Sequence, residues 1–130
     1  PSPNKWQTET ILPYKIEKGE YDDEEWLSVF MGIAFEGERA LFLSEGNSGI
    51  VRLIDPRNGK KKQLFRLNQG DWRDSFSGDL AYDPQRELLY VLDQANFRLA
   101  IFDTKRKRLA SSLRIGRMPF AITLSPDARR

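Results

Sequence analysis

The chain contains neither cysteine nor histidine. The first absence rules out disulfides and thiol chemistry, and the second removes the commonest zinc ligand, general base and proton switch. Ser-His-Asp and Cys-His catalysis therefore cannot be assembled from these residues. No apolar run approaches the length of a membrane-crossing helix, so no membrane span is expected. Residues 1–7 lack the basic start and apolar stretch of a secretory signal, and the chain opens on Pro1 rather than Met. An excess of one charge is also missing: 21 Lys and Arg stand against 19 Asp and Glu, which excludes a strongly basic or acidic protein overall. What remains, 39% hydrophobic and 31% charged, is the composition of a globular segment.

The residues that are present are written twice and begun a third time. The stretch 31–67 reads M-G-I-A-F, a charged turn, A-L-F-L-S, a turn, I-V-R-L-I-D, Asn58-Gly59, then K-Q-L-F-R-L. The stretch 78–115 repeats that order as G-D-L-A-Y, D-P-Q-R, L-L-Y-V-L-D, a turn, R-L-A-I-F-D, a basic turn and L-A-S-S-L-R-I. A third copy starts at Phe120 with F-A-I-T-L-S-P-D. Phe35, Tyr82 and Leu124 are equivalent, at spacings of 47 and 42 residues. That is roughly the 40–50 residues of a four-stranded propeller blade.

Alternation of apolar and polar positions, with no sustained helical period, predicts strands over 29–35, 40–44, 50–55 and 62–67, and again over 78–82, 88–93, 98–103 and 108–115. Asn58-Gly59 suits the tight hairpin between the third and fourth strands. The fold expected is all-β: a partial β-propeller of about two and a half four-stranded antiparallel blades. Residues 29–68 and 77–115 form the complete blades, and 120–130 the first strand of the next. Residues 5–28 are expected to hold the outer strand of a preceding blade, at 6–12, and an enlarged connection, 13–28. Ring closure takes about four to eight blades, so the chain reads as a fragment. Trp26, Phe35, Phe42, Tyr82, Tyr90 and Phe102 are expected in the core.

These strings resemble the YVTN family of bacterial β-propeller repeats. Leu89-Tyr90-Val91-Leu92-Asp93 stands where the family writes L-Y-V-T-N, and Ile101-Phe102-Asp103-Thr104 where it writes V-I-D-T. Ile115-Gly116-Arg117-Met118-Pro119-Phe120 with Ser125-Pro126-Asp127 matches V-G-x-x-P followed by S-P-D-G, Ala128 replacing the turn glycine. Asp93 and Glu45 replace the motif's Asn, and the turn at 36–39 is shortened. The strings 12–14 and 74–80 are similar to propellers that precede an alkaline-phosphatase-like phosphoesterase domain in exported bacterial proteins. That resemblance implies a periplasmic or extracellular setting, with any hydrolase residues beyond Arg130.

The propeller order would send the turns to two ends. One end receives Glu20, Asp22, Asp23, Glu24, Glu25, Glu45, Asp71, Asp74, Asp79 and Asp93, relieved mainly by Arg73 and Arg117. The other receives Arg57, Lys60, Lys61, Lys62, Arg86, Lys105, Arg106, Lys107, Arg108, Arg129 and Arg130. The basic turns read either as a docking face for an anionic partner or as charges that protect the outer strand from edge pairing, the reading preferred here. No aromatic platform is interleaved with them, which argues against nucleic acid. Residues 22–25 lack the D-x-[DN]-x-[DN]-G order of a calcium loop, so no metal site is expected.

Trp72, Arg73, Asp74, Asp93, Gln94, Asn96, Arg117 and Phe120 fall in the loops that converge on the mouth of a propeller channel. They form the candidate ligand site, aromatics for contact and arginines for anions, with inter-blade packing as the competing role. No catalytic residue and no cofactor is assigned to this segment. The expected role is a non-catalytic binding scaffold in a larger exported protein. Its partners would be the remaining blades, a downstream catalytic domain or a small ligand at the channel mouth. The alternative is the propeller part of a hydrolase, a phosphoesterase or a lactonase-type enzyme.

Overall fold

A computed structural model describes residues 16–18, 25–27 and 31–127. Strands β1 (Ile16–Lys18) and β2 (Glu25–Leu27) pair antiparallel as a small separate ribbon. The expected connection over 13–28 thus contains a hairpin of its own. The run 22–24 falls outside the described residues, as do Trp26's side chain and the expected outer strand at 6–12.

The rest is two consecutive four-stranded antiparallel meanders. Sheet I holds β3 (Gly32–Glu36), β4 (Ala40–Ser44), β5 (Ile50–Ile54) and β6 (Lys61–Arg66) in chain order. Sheet II holds β7 (Ser77–Asp83), β8 (Leu88–Asp93), β9 (Arg98–Asp103) and β10 (Arg108–Arg114), likewise in order. No helix occurs among the described residues, and the chain is all-β. None of those residues forms a helix long and apolar enough to cross a membrane.

Directly opposed residues of an antiparallel pair share a face, so the register sorts each sheet into two sides. In sheet I, Ala34 opposes Phe42, and Phe42 opposes Leu53. This side, with Val51 and Phe65, lies against sheet II. In sheet II, Tyr82 opposes Leu89, Leu89 opposes Phe102, and Phe102 opposes Leu109. That row answers from the other side of the seam, with Leu80, Val91 and Ala100. Phe42 meets Tyr82 at 5.0 Å between ring centroids, and Phe65 meets Phe102 edge-on at 5.4 Å. These are separations at which aromatic pairs add about 0.5–1.5 kcal/mol beyond their buried area.

At the first strands the sheets come closest. A Cβ on Gly32 would lie 3.0 Å from the Gly78 carbonyl oxygen and 3.1 Å from the Asp79 Cα, so only glycine fits without moving backbone. Ser44 Oγ donates to that same Gly78 carbonyl at 2.5 Å, and Gly46 exchanges backbone hydrogen bonds with Ser77.

Three expectations change. Phe35 is 67% exposed, not core, because it faces away from sheet II on the side where Ile33 is also exposed. Tyr82 and Tyr90 are only half-buried. Residues 120–127 form no strand, having no neighbouring strand to pair with among the described residues. The stretch instead hangs on single bonds such as Ile122 N–H to Asp79 Oδ2 at 3.0 Å.

Candidate functional site

The meander places the turns 45–49 and 94–97, the connection 67–76 and the stretch after β10 at one end of the two sheets. β8 ends in Asp93 and β9 begins with Arg98, opposite each other in register. Both are completely buried, and Arg98 Nε donates to Asp93 Oδ2 at 2.8 Å. The guanidinium also donates to the Leu67 carbonyl at 2.5 Å and to Ser112 Oγ at 3.0 Å, and it lies 4.2 Å from the centre of the Trp72 ring. Asp93 in turn accepts the backbone N–H of Phe76 and both the backbone N–H and side-chain amide of Asn96. Burial pushes this carboxyl upward, but the hydrogen bonds from Arg98, Asn96, Ser75 and Phe76 outweigh it and hold its pKa below the ordinary value.

Asn96 continues the network, donating to the Arg73 carbonyl at 3.0 Å and to Ser75 Oγ at 3.2 Å. Four of the candidate residues, Trp72, Arg73, Asp93 and Asn96, are therefore assembled into one unit, chiefly by internal bonds. Arg73 itself is exposed and curls onto the Gly70 and Trp72 carbonyls at 2.7 and 2.8 Å. Asp74 is exposed beside it, at a φ of 51°. Gln94 donates to the Pro119 carbonyl at 2.9 Å and so tethers the stretch carrying Arg117 and Phe120. Those two side chains stand exposed, Phe120 at 74%.

The sequence reading missed Arg98, the centre of the unit. Its signal was a charge heading the strand R-L-A-I-F-D where the first copy has Ile50. Sheet I contains a related pair: Glu45, at the position of Asp93, binds Arg52 two residues further into the next strand. Each copy thus closes the end of its second strand with a carboxylate and an arginine from the third. The pairing recurs although the arginine's position does not.

At the opposite end, strand-terminal aspartates neutralise part of the basic turns. Asp55 binds Arg57 at 2.7 Å, Asp83 binds Arg86 at 2.8 Å, and Asp103 binds Arg106 at 2.8 Å. Each aspartate also accepts a backbone N–H of its turn. Side-chain bonds from Arg57 and Arg86 hold Asp55 and Asp83 below the usual carboxylate range, and the backbone N–H of Arg106 does most for Asp103. No group of three acidic residues placed to hold a metal occurs among the described residues.

No family model matches the chain, and no curated protein matches it. Among solved structures it is similar to Kuenenia stuttgartiensis hydrazine synthase, with a TM-score of 0.66 and 22% identity over 77% of this chain. The match spans only 27% of that protein's chain, and at this identity it is a likeness of fold.

Proposed function

We propose that the two sheets are consecutive blades of a YVTN-like β-propeller, and that the chain is a non-catalytic binding scaffold within an exported bacterial protein. The observation that carries this reading is that the seam joins non-equivalent faces of the two sheets. Sheet II presents Leu80, Tyr82, Leu89 and Phe102, whose counterparts in sheet I, Ile33, Phe35, Leu41 and Ile54, lie on the side facing away from sheet II. Sheet I presents Phe42 and Leu53, whose counterparts Tyr90 and Ile101 face away from sheet I. The seam therefore joins unlike faces, the kind of contact that can be repeated by further blades and closes a ring where the rotation per blade allows it. Ile33 at 55% and Phe35 at 67% exposure leave the β3 part of that face open, where a further blade would cover it, while Leu41 and Ile54 in the same row are buried.

The scaffold role follows from the loop end. The Asp93–Arg98 unit fixes the backbone of 73–76 and 94–97, and this leaves Arg73, Asp74, Arg117 and Phe120 at the surface on a supported frame. The test is differential capture of bacterial periplasmic proteins by the intact protein, immobilised as wild type or as two variants. Arg73→Ala with Arg117→Ala should abolish retention of a specific partner, while neutralising Lys60, Lys61, Lys62, Lys105 and Lys107 should leave it in place. Loss with the lysine set alone, steeply reduced by salt, would move the binding surface to the other end.

A further inference from the structure

At the turn end opposite the candidate site, the hairpin dipeptide between β5 and β6 brings a nucleophile and an electrophile together at the surface. Asn58 is exposed, and its Oδ1 accepts the backbone N–H of Lys60 at 2.8 Å. That bond closes a small ring containing both the Asn58 Cγ and the Gly59 nitrogen, the two atoms whose union makes a five-membered succinimide. Gly59 has no side chain to shield its nitrogen, and its φ of 69° is one that glycine adopts without strain.

The surroundings favour attack of that nitrogen on Cγ. The Lys60 N–H already rests on Oδ1, the oxygen on which negative charge develops as the ring closes. Arg57, Lys60, Lys61 and Lys62 place positive charge in and beside the turn, while the neighbouring Asp55 carboxylate is paired with Arg57 at 2.7 Å. One contact opposes the step: the Gly59 N–H donates to the Asp55 carbonyl at 2.8 Å and must let go first. A single bond in an exposed turn opens easily, so it slows the reaction without blocking it.

The other asparagines among the described residues lack this combination. Asn96 donates its amide to three acceptors and precedes Phe97, and Asn68 Oδ1 holds the Ser75 N–H and precedes Gln69. Asn47 is exposed, but Ser48 follows it and carries a side chain next to the nitrogen. The repeat does not require the pair either, since the equivalent turn of sheet II has Arg106 and Lys107.

We propose that Asn58 is a site of spontaneous deamidation in the folded protein. The Gly59 nitrogen gives its proton to hydroxide and bonds to Asn58 Cγ. The Cγ–Nδ2 bond breaks, and the side-chain nitrogen leaves as ammonia after taking a proton from water. Water then opens the succinimide at either carbonyl, giving aspartate or isoaspartate at position 58. Both products put a carboxylate into the basic turn and lower the net charge of +2 by one unit. The isoaspartate form also lengthens the backbone between β5 and β6 by a methylene, so the modification alters charge and turn geometry together. This site is separate from the scaffold surface and does not rest on it.

The test is to age the folded 130-residue chain at mildly alkaline pH and follow each asparagine by tandem mass spectrometry, with isoaspartyl methyltransferase labelling of the product. Asn58 should convert at a rate within about tenfold of that in the guanidinium-unfolded chain, because one turn hydrogen bond is the added barrier. Ammonia should appear in step, while Asn47, Asn68 and Asn96 lag behind. Gly59→Lys should slow conversion of Asn58 to the level of Asn47 or below, since a side chain then shields the nitrogen. That variant keeps a foldable turn, as the equivalent turn already holds Lys107 at a φ of 57°. Conversion more than about a hundredfold slower than in the unfolded chain would show that the turn protects Asn58 and would overturn the proposal. Faster conversion at Asn47, or an unchanged rate in Gly59→Lys, would overturn it equally.

Discussion

Replacing Arg98 by Ala tests the account of the seam most directly. The side chain is completely buried and serves five partners at once: Asp93 at 2.8 Å, the Leu67 carbonyl at 2.5 Å, Ser112 Oγ at 3.0 Å, Ser75 Oγ at 3.4 Å and the Trp72 ring at 4.2 Å. Truncation leaves Asp93 as a buried charge without its cation and the Leu67 carbonyl with only the Gln69 N–H. Removing one member of a buried ion pair costs about 3–5 kcal/mol, against a total stability of about 5–15 kcal/mol for a domain. Urea unfolding at pH 7 should show the midpoint shift with little change in slope.

The pH dependence separates a charge effect from a mere cavity. With Arg98 present, the Asp93 carboxyl is held below its ordinary value, so the pair contributes above about pH 4 and is lost as pH falls through the folded-state pKa. Without Arg98 the largest of the lowering bonds is lost, so burial weighs more and the folded-state pKa rises. The variant's deficit should then narrow between pH 7 and pH 4. Adding Asp93→Asn to Arg98→Ala should recover at least about 1 kcal/mol at neutral pH, read as coupling in a double-mutant cycle. A deficit below about 1 kcal/mol, or one identical at both pH values, would refute the reasoning.

Three further outcomes follow from the same structure. Lys107→Gly relieves a φ of 57° at an exposed turn whose counterpart is already Gly59, and should stabilise the protein by up to about 1 kcal/mol in denaturant melts, net of the entropy glycine adds to the unfolded chain. Gly32→Ala drives a Cβ to 3.0 Å from the Gly78 carbonyl and should cost about 1–3 kcal/mol, with amide exchange accelerated across β3 and β7 rather than across β9 and β10. Below about pH 4 the protein should lose stability progressively, because Asp55, Asp83, Asp93 and Asp103 all have depressed pKa values and their contribution disappears as each is protonated. Asp83→Asn should shallow that profile, detectable by far-UV circular dichroism during acid titration.

The sheets were legible in the sequence because a period of two reports which residues alternate and the duplicated strings fix where each run stops. The turn at Asn58-Gly59 falls between β5 and β6 as expected, and the runs 88–93 and 98–103 coincide with β8 and β9. Periodicity gives two faces to a strand without saying which of them meets a neighbour. Phe35 and Tyr82 occupy the same repeat position and look alike in sequence, yet only Tyr82 has a sheet stacked over it. The candidate site shows the same division. Its loops were placed by counting strands, whereas the partnership of Trp72, Asp93 and Asn96 runs through Arg98, which joins β9 to the end of sheet I.

A buried arginine at such a junction also explains why the two copies differ where they do. Packing two sheets needs only apolar rows of matching volume, which the copies share. Holding a long loop at a chosen height above the seam needs a group that reaches several carbonyls and hydroxyls at once, and a guanidinium with five donors does this from a single position. Arg98 takes that role for 67–76, the connection between the two sheets, while Arg52 serves the shorter turn of its own sheet through Glu45. The departure from the repeat thus falls where the chain needs a supported loop rather than a further strand, and Arg73 and Asp74 are the exposed residues that this support positions.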